Sequence, residues 1–162
     1  MAMAMMAWMV AIPVLGFATG LRAMMPMAVV CWFAYLHHLP VHESWAFWCA
    51  KLVTAVVFTV LAAGELVGDK LPQTPNRISL FPLVARIGFG GLVGAIAATG
   101  LHGSIIEGIL LGAIGAVAGS FIGYQLRTGI PRHSNLPDLP IALVEDVLAI
   151  GASVLAMGIV TG

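Results

Sequence analysis

The sequence predicts an all-α integral membrane protein of about five transmembrane helices, and three observations carry that expectation. Of the 162 residues, 60% are hydrophobic and only 9% are charged, for a mean hydropathy of +1.04; too few polar groups remain to cover a soluble globule. Apolar stretches of membrane length alternate with short segments rich in proline or polar residues, the pattern of spans and loops. The few ionisable residues gather at the ends of these stretches or inside them. No segment between spans is long enough for a soluble unit, so residues 1–162 read as a single transmembrane domain.

Helix 1 is expected from about Trp8 to Leu36, interrupted within Gly16-Phe17-Ala18-Thr19-Gly20-Leu21-Arg22-Ala23-Met24-Met25-Pro26. Pro26 removes a backbone donor and favours a kink, while Gly16 and Gly20 let a second backbone approach. No basic residue precedes this stretch, and it outruns the apolar region of a signal peptide, so it reads as a retained helix. Arg22 falls near its middle and must point inward, because a lipid-facing guanidinium is costly. The segment Leu36 to Ser44 holds His37, His38 and His42, flanked by Trp32, Tyr35, Trp45 and Trp48 as an aromatic belt at one interface.

Helix 2 is expected over about Trp45 to Asp69 and closes on Gly64-Glu65-Leu66-Val67-Gly68-Asp69-Lys70. Glu65 and Asp69 are about one turn apart and share a face, with Gly64 and Gly68 thinning the neighbouring one. Prolines 72, 75 and 82 with Asn76 and Arg77 make Leu71 to Pro82 a loop or a short re-entrant excursion. Helix 3 follows from about Leu83 to Gly100, with Arg86 in its first turn. Helix 4 covers about Ile105 to Leu126, carries Gly115-x-x-x-Gly119-x-x-x-Gly123 and ends at Arg127. After a loop from Pro131 to Pro140, helix 5 runs from about Leu139 to Val160, with Glu145 and Asp146 near its start.

Lys70, Arg77, Arg86, Arg127 and Arg132 flank the segments after helices 2 and 4, against Lys51 alone on the opposite side. The positive-inside rule then places those segments and the N-terminus in the cytoplasm. On that topology Glu65, Asp69, Lys70, Arg86, Arg127, Glu145 and Asp146 share the cytoplasmic half, with Arg22 near the midplane. Bases and acids balance in this set, as mutual pairing in low dielectric requires. Such groups either staple the helices together or line a water-accessible path. The whole chain is balanced too, with 7 Lys plus Arg and 7 Asp plus Glu, which leaves no electrostatic footprint for nucleic acid.

Gly16-Phe17-Ala18-Thr19-Gly20-Leu21-Arg22 loosely echoes Gly119-Ser120-Phe121-Ile122-Gly123-Tyr124-Gln125-Leu126-Arg127, and in each case the next helix carries acids. Helix pairs 1-2 and 4-5 around helix 3 would then form an inverted repeat, a plan common in transporters.

Gly20-Leu21-Arg22-Ala23-x-x-Pro26 in the first span, with Glu65-x-x-x-Asp69-Lys70-x-Pro72 closing the second, resembles a family of small bacterial membrane proteins, domain of unknown function 4126. The resemblance covers most of the chain, including Arg86 and the Glu145-Asp146 pair. It implies a multi-pass protein of a bacterial inner membrane with no established activity, in which Arg22, Glu65, Asp69 and Pro72 matter. Roles for Arg127 and Asp146 rest on physics alone.

Other constellations point elsewhere. His38, His42 and His102, with Glu43 and Glu107 nearby, form a weak metal set, with interfacial loop histidines as the blander account. The methionines clustered from Met1 to Met9 and Met24 to Met27 are apolar filler before they are copper ligands. Cys31 and Cys49 would permit a disulfide if their side is oxidising. No Ser-His-Asp order, phosphate loop or dinucleotide fingerprint is present, and no cofactor is expected.

The leading functional expectation is a transporter or channel for a small ion or charged solute, using Arg22, Glu65, Asp69, Lys70, Arg86, Glu145 and Asp146 in a cavity between helices 1, 2, 4 and 5. Its partners are then the lipid bilayer, the solute and a second copy of the chain, since glycine-rich faces favour a homodimer. A membrane-embedded enzyme or lipid-headgroup handler, with Arg77, Arg86, Arg127 and Arg132 on phosphate, is the alternative from another class. A non-catalytic scaffold is the third.

Overall fold

Among the described residues, six α-helices and one 3-10 turn account for the apolar stretches: α1 (Ala2–Leu21), α2 (Met24–Tyr35), the turn Phe47–Ala50, α3 (Leu52–Gly68), α4 (Leu80–Gly100), α5 (Ile105–Ser134) and α6 (Asp138–Thr161). This computed structural model describes residues 2–68, 80–134 and 138–162, with side chains over 7–68, 80–126, 128 and 142–162. No strand occurs among the described residues. Stretches within three helices are long and apolar enough to cross a membrane, namely Leu80–Gly100, Ile105–Leu126 and Ala142–Thr161.

Glycine sets the centre of the bundle. In a bilayer the tails are as apolar as leucine, so helices associate through close van der Waals contact rather than hydrophobic exclusion, and small residues permit it. A Cβ at Gly16 would fall on the Gly112 carbonyl oxygen, and one at Gly119 on the Phe17 carbonyl oxygen. On the other side of α5, a Cβ at Gly94 would fall on the Gly108 carbonyl oxygen, and one at Gly112 on that of Gly90. Helix α5 is therefore sandwiched between α1 and α4 with backbones in contact. As residue numbers rise along α1 they rise along α5, so these two helices run parallel, whereas α4 and α5 run antiparallel. The glycine motifs that echo each other in the sequence thus lie face to face and parallel, which is not the relation an inverted repeat of those two segments requires.

The predicted single helix from Trp8 to Leu36 is two helices that double back. Trp8, early in α1, packs on Gly103 in the α4–α5 turn, and Leu39 and Val41, just beyond α2, pack on Gly100 at the end of α4 beside it. Trp45 Nε1–H donates to Thr99 Oγ1 there as well, at 3.0 Å. The lengths agree: Trp8 to Leu21 rises about 20 Å and Met24 to Leu36 about 18 Å at ~1.5 Å per residue. The chain leaves one end of the bundle along α1, reverses at Arg22–Ala23, and returns along α2. The cytoplasmic assignment of the N-terminus counted one passage from Trp8 to Leu36, so it no longer follows.

Other boundaries shift for local reasons. Lys51 is extended (φ −92°, ψ 135°) and divides the expected helix 2 into the 3-10 turn and α3. Pro82 lies in the first turn of α4, where its missing N–H costs nothing. Helix α5 continues past the expected Leu126 to Ser134.

Helices α2 and α4 end alike. His37 N–H bonds Ala34 C=O at 3.2 Å and His38 N–H bonds Phe33 C=O at 2.9 Å; His102 N–H bonds Thr99 C=O at 3.2 Å and Gly103 N–H bonds Ala98 C=O at 2.8 Å. This is the Schellman pattern, whose left-handed position favours glycine. Histidine occupies it both times, with φ 63° at His37 and 56° at His102. Because His102 is exposed, His102→Gly is expected to raise stability by about 0.5–1 kcal/mol, the left-handed penalty less the entropy cost of glycine. Equilibrium unfolding in mixed micelles checks this.

Candidate functional site

The reversal between α1 and α2 is where the chain places its polar chemistry. Pro26 has no amide to offer the Arg22 carbonyl one turn back, which favours an interruption here, although α1 runs on through Pro13. Thr19 Oγ1 donates to Leu15 C=O at 2.8 Å, a back-bond that bends helices. Arg22 N–H closes the final turn of α1 on Ala18 C=O at 2.8 Å. The next two amides turn elsewhere.

Those amides meet Glu65. Ala23 N–H donates to Glu65 Oε1 at 2.8 Å and Met24 N–H to Glu65 Oε2 at 2.9 Å. The carboxylate of α3 thereby caps the N-terminus of α2, where unsatisfied N–H groups and the helix dipole favour negative charge. On the other side of the break Gly20 C=O, left without the Met24 amide, accepts from Ser120 Oγ at 3.3 Å. Donors and acceptors freed by one interruption are thus satisfied from two different helices.

Among the described residues Arg22 is the largest fully buried side chain, with 0% of its surface exposed. Its guanidinium engages α6: Nε and Nη2 both approach Asp146 Oδ1 at 2.6 Å. Both nitrogens share one carboxylate oxygen, so this is a strong ion pair rather than a two-oxygen fork. Arg86 on α4 and Glu145 on α6 are buried as well. Arg86 lies one turn from Gly90, which packs at the level of Gly112 and Ala116, and this puts Arg86 near the depth of the break. From Trp8 to Arg22 the rise along α1 is about 21 Å.

Of the residues singled out in the sequence, the structure joins Arg22, Glu65 and Asp146 at one locus and buries Arg86 and Glu145 on helices that border it. Asp69, Lys70, Pro72 and Arg77 lie outside the described residues, as do the side chains of Arg127 and Arg132. Sequence reasoning missed Ser120; a buried hydroxyl between Gly119 and the apolar Phe121 is the signal that could have found it. It also missed the backbone amides of Ala23 and Met24.

His38, His42 and His102 are not gathered into one set of ligands. His42 stacks on His37 with ring centroids 4.5 Å apart, and His38 tilts against Phe33 at 5.9 Å, while His102 serves as a helix terminator. Among the described residues no group of three or more His, Cys, Asp or Glu is placed to hold a metal ion. Cys31 and Cys49 are free thiols, both buried. The hydrogen bond to Cys31, then burial, then repulsion from Cys31 hold the Cys49 thiol above its ordinary 9.0, so it stays protonated.

A groove of about 590 Å³ runs between α1 and α6, lined by Val10, Val14, Ala152, Leu155 and Ile159 among others. It is apolar and lies toward the Trp8 end, away from Arg22.

No match was found among curated proteins or among solved structures. A family model described as Domain of unknown function (DUF4126) matches residues 9–159. The match takes in the Arg22 break, the Glu65 cap and the Asp146 pair together, in agreement with the resemblance carried by the two sequence motifs, and the chain belongs to that family.

Proposed function

We propose that this protein moves a small charged solute or ion across a bilayer, with the α1–α2 break as the point where the solute meets the protein. The observation that carries the reading is a helix interrupted within an apolar bundle, with Arg22 and Glu65 both at the interruption. Irregular backbone at membrane depth is tolerated only where it is buried in protein or borders a water-filled space, and ionisable groups there usually mark a pathway. Half-helix ends that meet near a substrate are the device transporters use.

In this reading the membrane is a bacterial inner membrane. Under the positive-inside rule the end where α3 stops and α4 starts, flanked in the sequence by Lys70 and Arg77, faces the cytoplasm. The start of α1, the segment 36–51 and the α4–α5 turn then lie together on the outer side. A homodimer belongs to the same reading. Most of the packed glycines are consumed inside the chain, but added carbons at Gly151 and Gly158 on α6 would meet nothing within 4 Å, leaving thin helix surface for a second copy.

The test is flux into liposomes containing purified protein, across a panel of protons, sodium, potassium, chloride and phosphate. One of these is expected to move, and Glu65→Gln to slow it by roughly 10-fold or more, since one charge-assisted bond at the break is lost. No movement of any of them by folded protein would sink the proposal. The closed Arg22–Asp146 pair favours a second reading, in which the charges only staple the bundle. A double variant Arg22→Met/Asp146→Leu that folds and retains full flux would decide for the staple.

A further inference from the structure

Helix α3 is the least embedded part of the bundle. Over Leu52–Gly68 only Ala55 and Ala62 are buried, while Val53, Val60 and Val67 are 73%, 64% and 66% exposed. It packs on α2 and on the 3-10 turn. Its first half is pinned: Trp32 Nε1–H donates to Thr59 Oγ1 at 3.0 Å, and Phe58 lies against Trp48 with ring centroids 6.4 Å apart. Past Ala62, the helix is tied to the break by the Glu65 carboxylate.

In lipid, exchanging a protein neighbour for an acyl chain costs a helix little hydrophobic energy, so polar ties decide where it sits. We propose that the part of α3 beyond the Thr59 and Phe58 contacts is a cover over the α1–α2 break, latched by Glu65 on the Ala23 and Met24 amides, so that releasing the latch uncovers the break. This deepens the reading above, which makes the break the solute's site. Its test reads position and access rather than flux, so either idea fails without the other.

The test uses the full chain in liposomes, with Cys31 and Cys49 replaced by alanine. Spin labels at Val67→Cys and at Val53→Cys are each paired with one at Ile106→Cys, exposed at the start of α5. Introducing Glu65→Gln is expected to shift and broaden the Val67–Ile106 distance while the Val53–Ile106 distance holds. Maleimide labelling of Ala23→Cys should rise roughly 10-fold in the same background, because Gln offers one acceptor oxygen where the carboxylate offers two. Unchanged distances and labelling would overturn the cover, as would equal broadening at Val53 and Val67, which means that α3 detaches as a whole. If the Gln variant does not assemble, Glu65→Asp, one methylene short of the amides, answers in its place by the same criteria.

Discussion

Asp146→Ala is expected to lower the free energy of unfolding by about 3–5 kcal/mol, since it removes a close ion-pair partner of a fully buried guanidinium. Arg22 has no exposed surface, and both nitrogens at 2.6 Å rest on the one Asp146 oxygen. The loss comes from desolvation more than from the missing attraction. Removing both charges is therefore expected to cost far less: Arg22→Met/Asp146→Leu fills similar volume with apolar atoms and should recover most of the stability. Titration with a denaturing detergent on wild type, both single variants and the double variant closes the cycle. A single-variant loss below about 1 kcal/mol would mean that water reaches the guanidinium.

Gly112→Leu is the second large effect, put at about 3 kcal/mol or more and failure to assemble at physiological temperature. Even the first added carbon would fall on the Gly90 carbonyl oxygen and within 3.2 Å of the Gly94 Cα. Both are backbone atoms that no rotamer change can move. On the opposite side the Gly112 carbonyl already touches Gly16, so α5 cannot retreat from α4 without colliding with α1. Gly88→Leu is the matched control. Nothing lies within 4 Å of a Cβ there, and better helix propensity should leave stability unchanged or raise it by up to ~1 kcal/mol. Equal damage from both substitutions would show that the close backbone contact at Gly112 is not what makes its replacement costly.

The sequence made the later helices legible because nothing interrupts them: α4 and α6 begin and end within about three residues of expectation. The reversal at Arg22 was not legible. A glycine- and proline-bearing interruption in a long apolar run reads equally as a kink or a turn, and only the landing of Leu39 beside Gly100 distinguishes them. The chemistry of the site was legible in type: inward Arg22 and a carboxylate at Glu65 follow from the expense of charge in hydrocarbon. Their partners were not, because tertiary packing selects Asp146 for Arg22 and gives Glu65 two backbone amides instead of a base. The glycine spacings announced close contact, yet which helix each would meet depends on the fold.

The doubling back of α1 on α2 changes the parity of the chain. Val10 and Ile159 share one groove, so the stretch that opens α1 and the stretch that closes α6 emerge at a common face. Under the proposed membrane reading, marker proteins appended at either extremity are expected to sample the same compartment, and opposite compartments would overturn that reading.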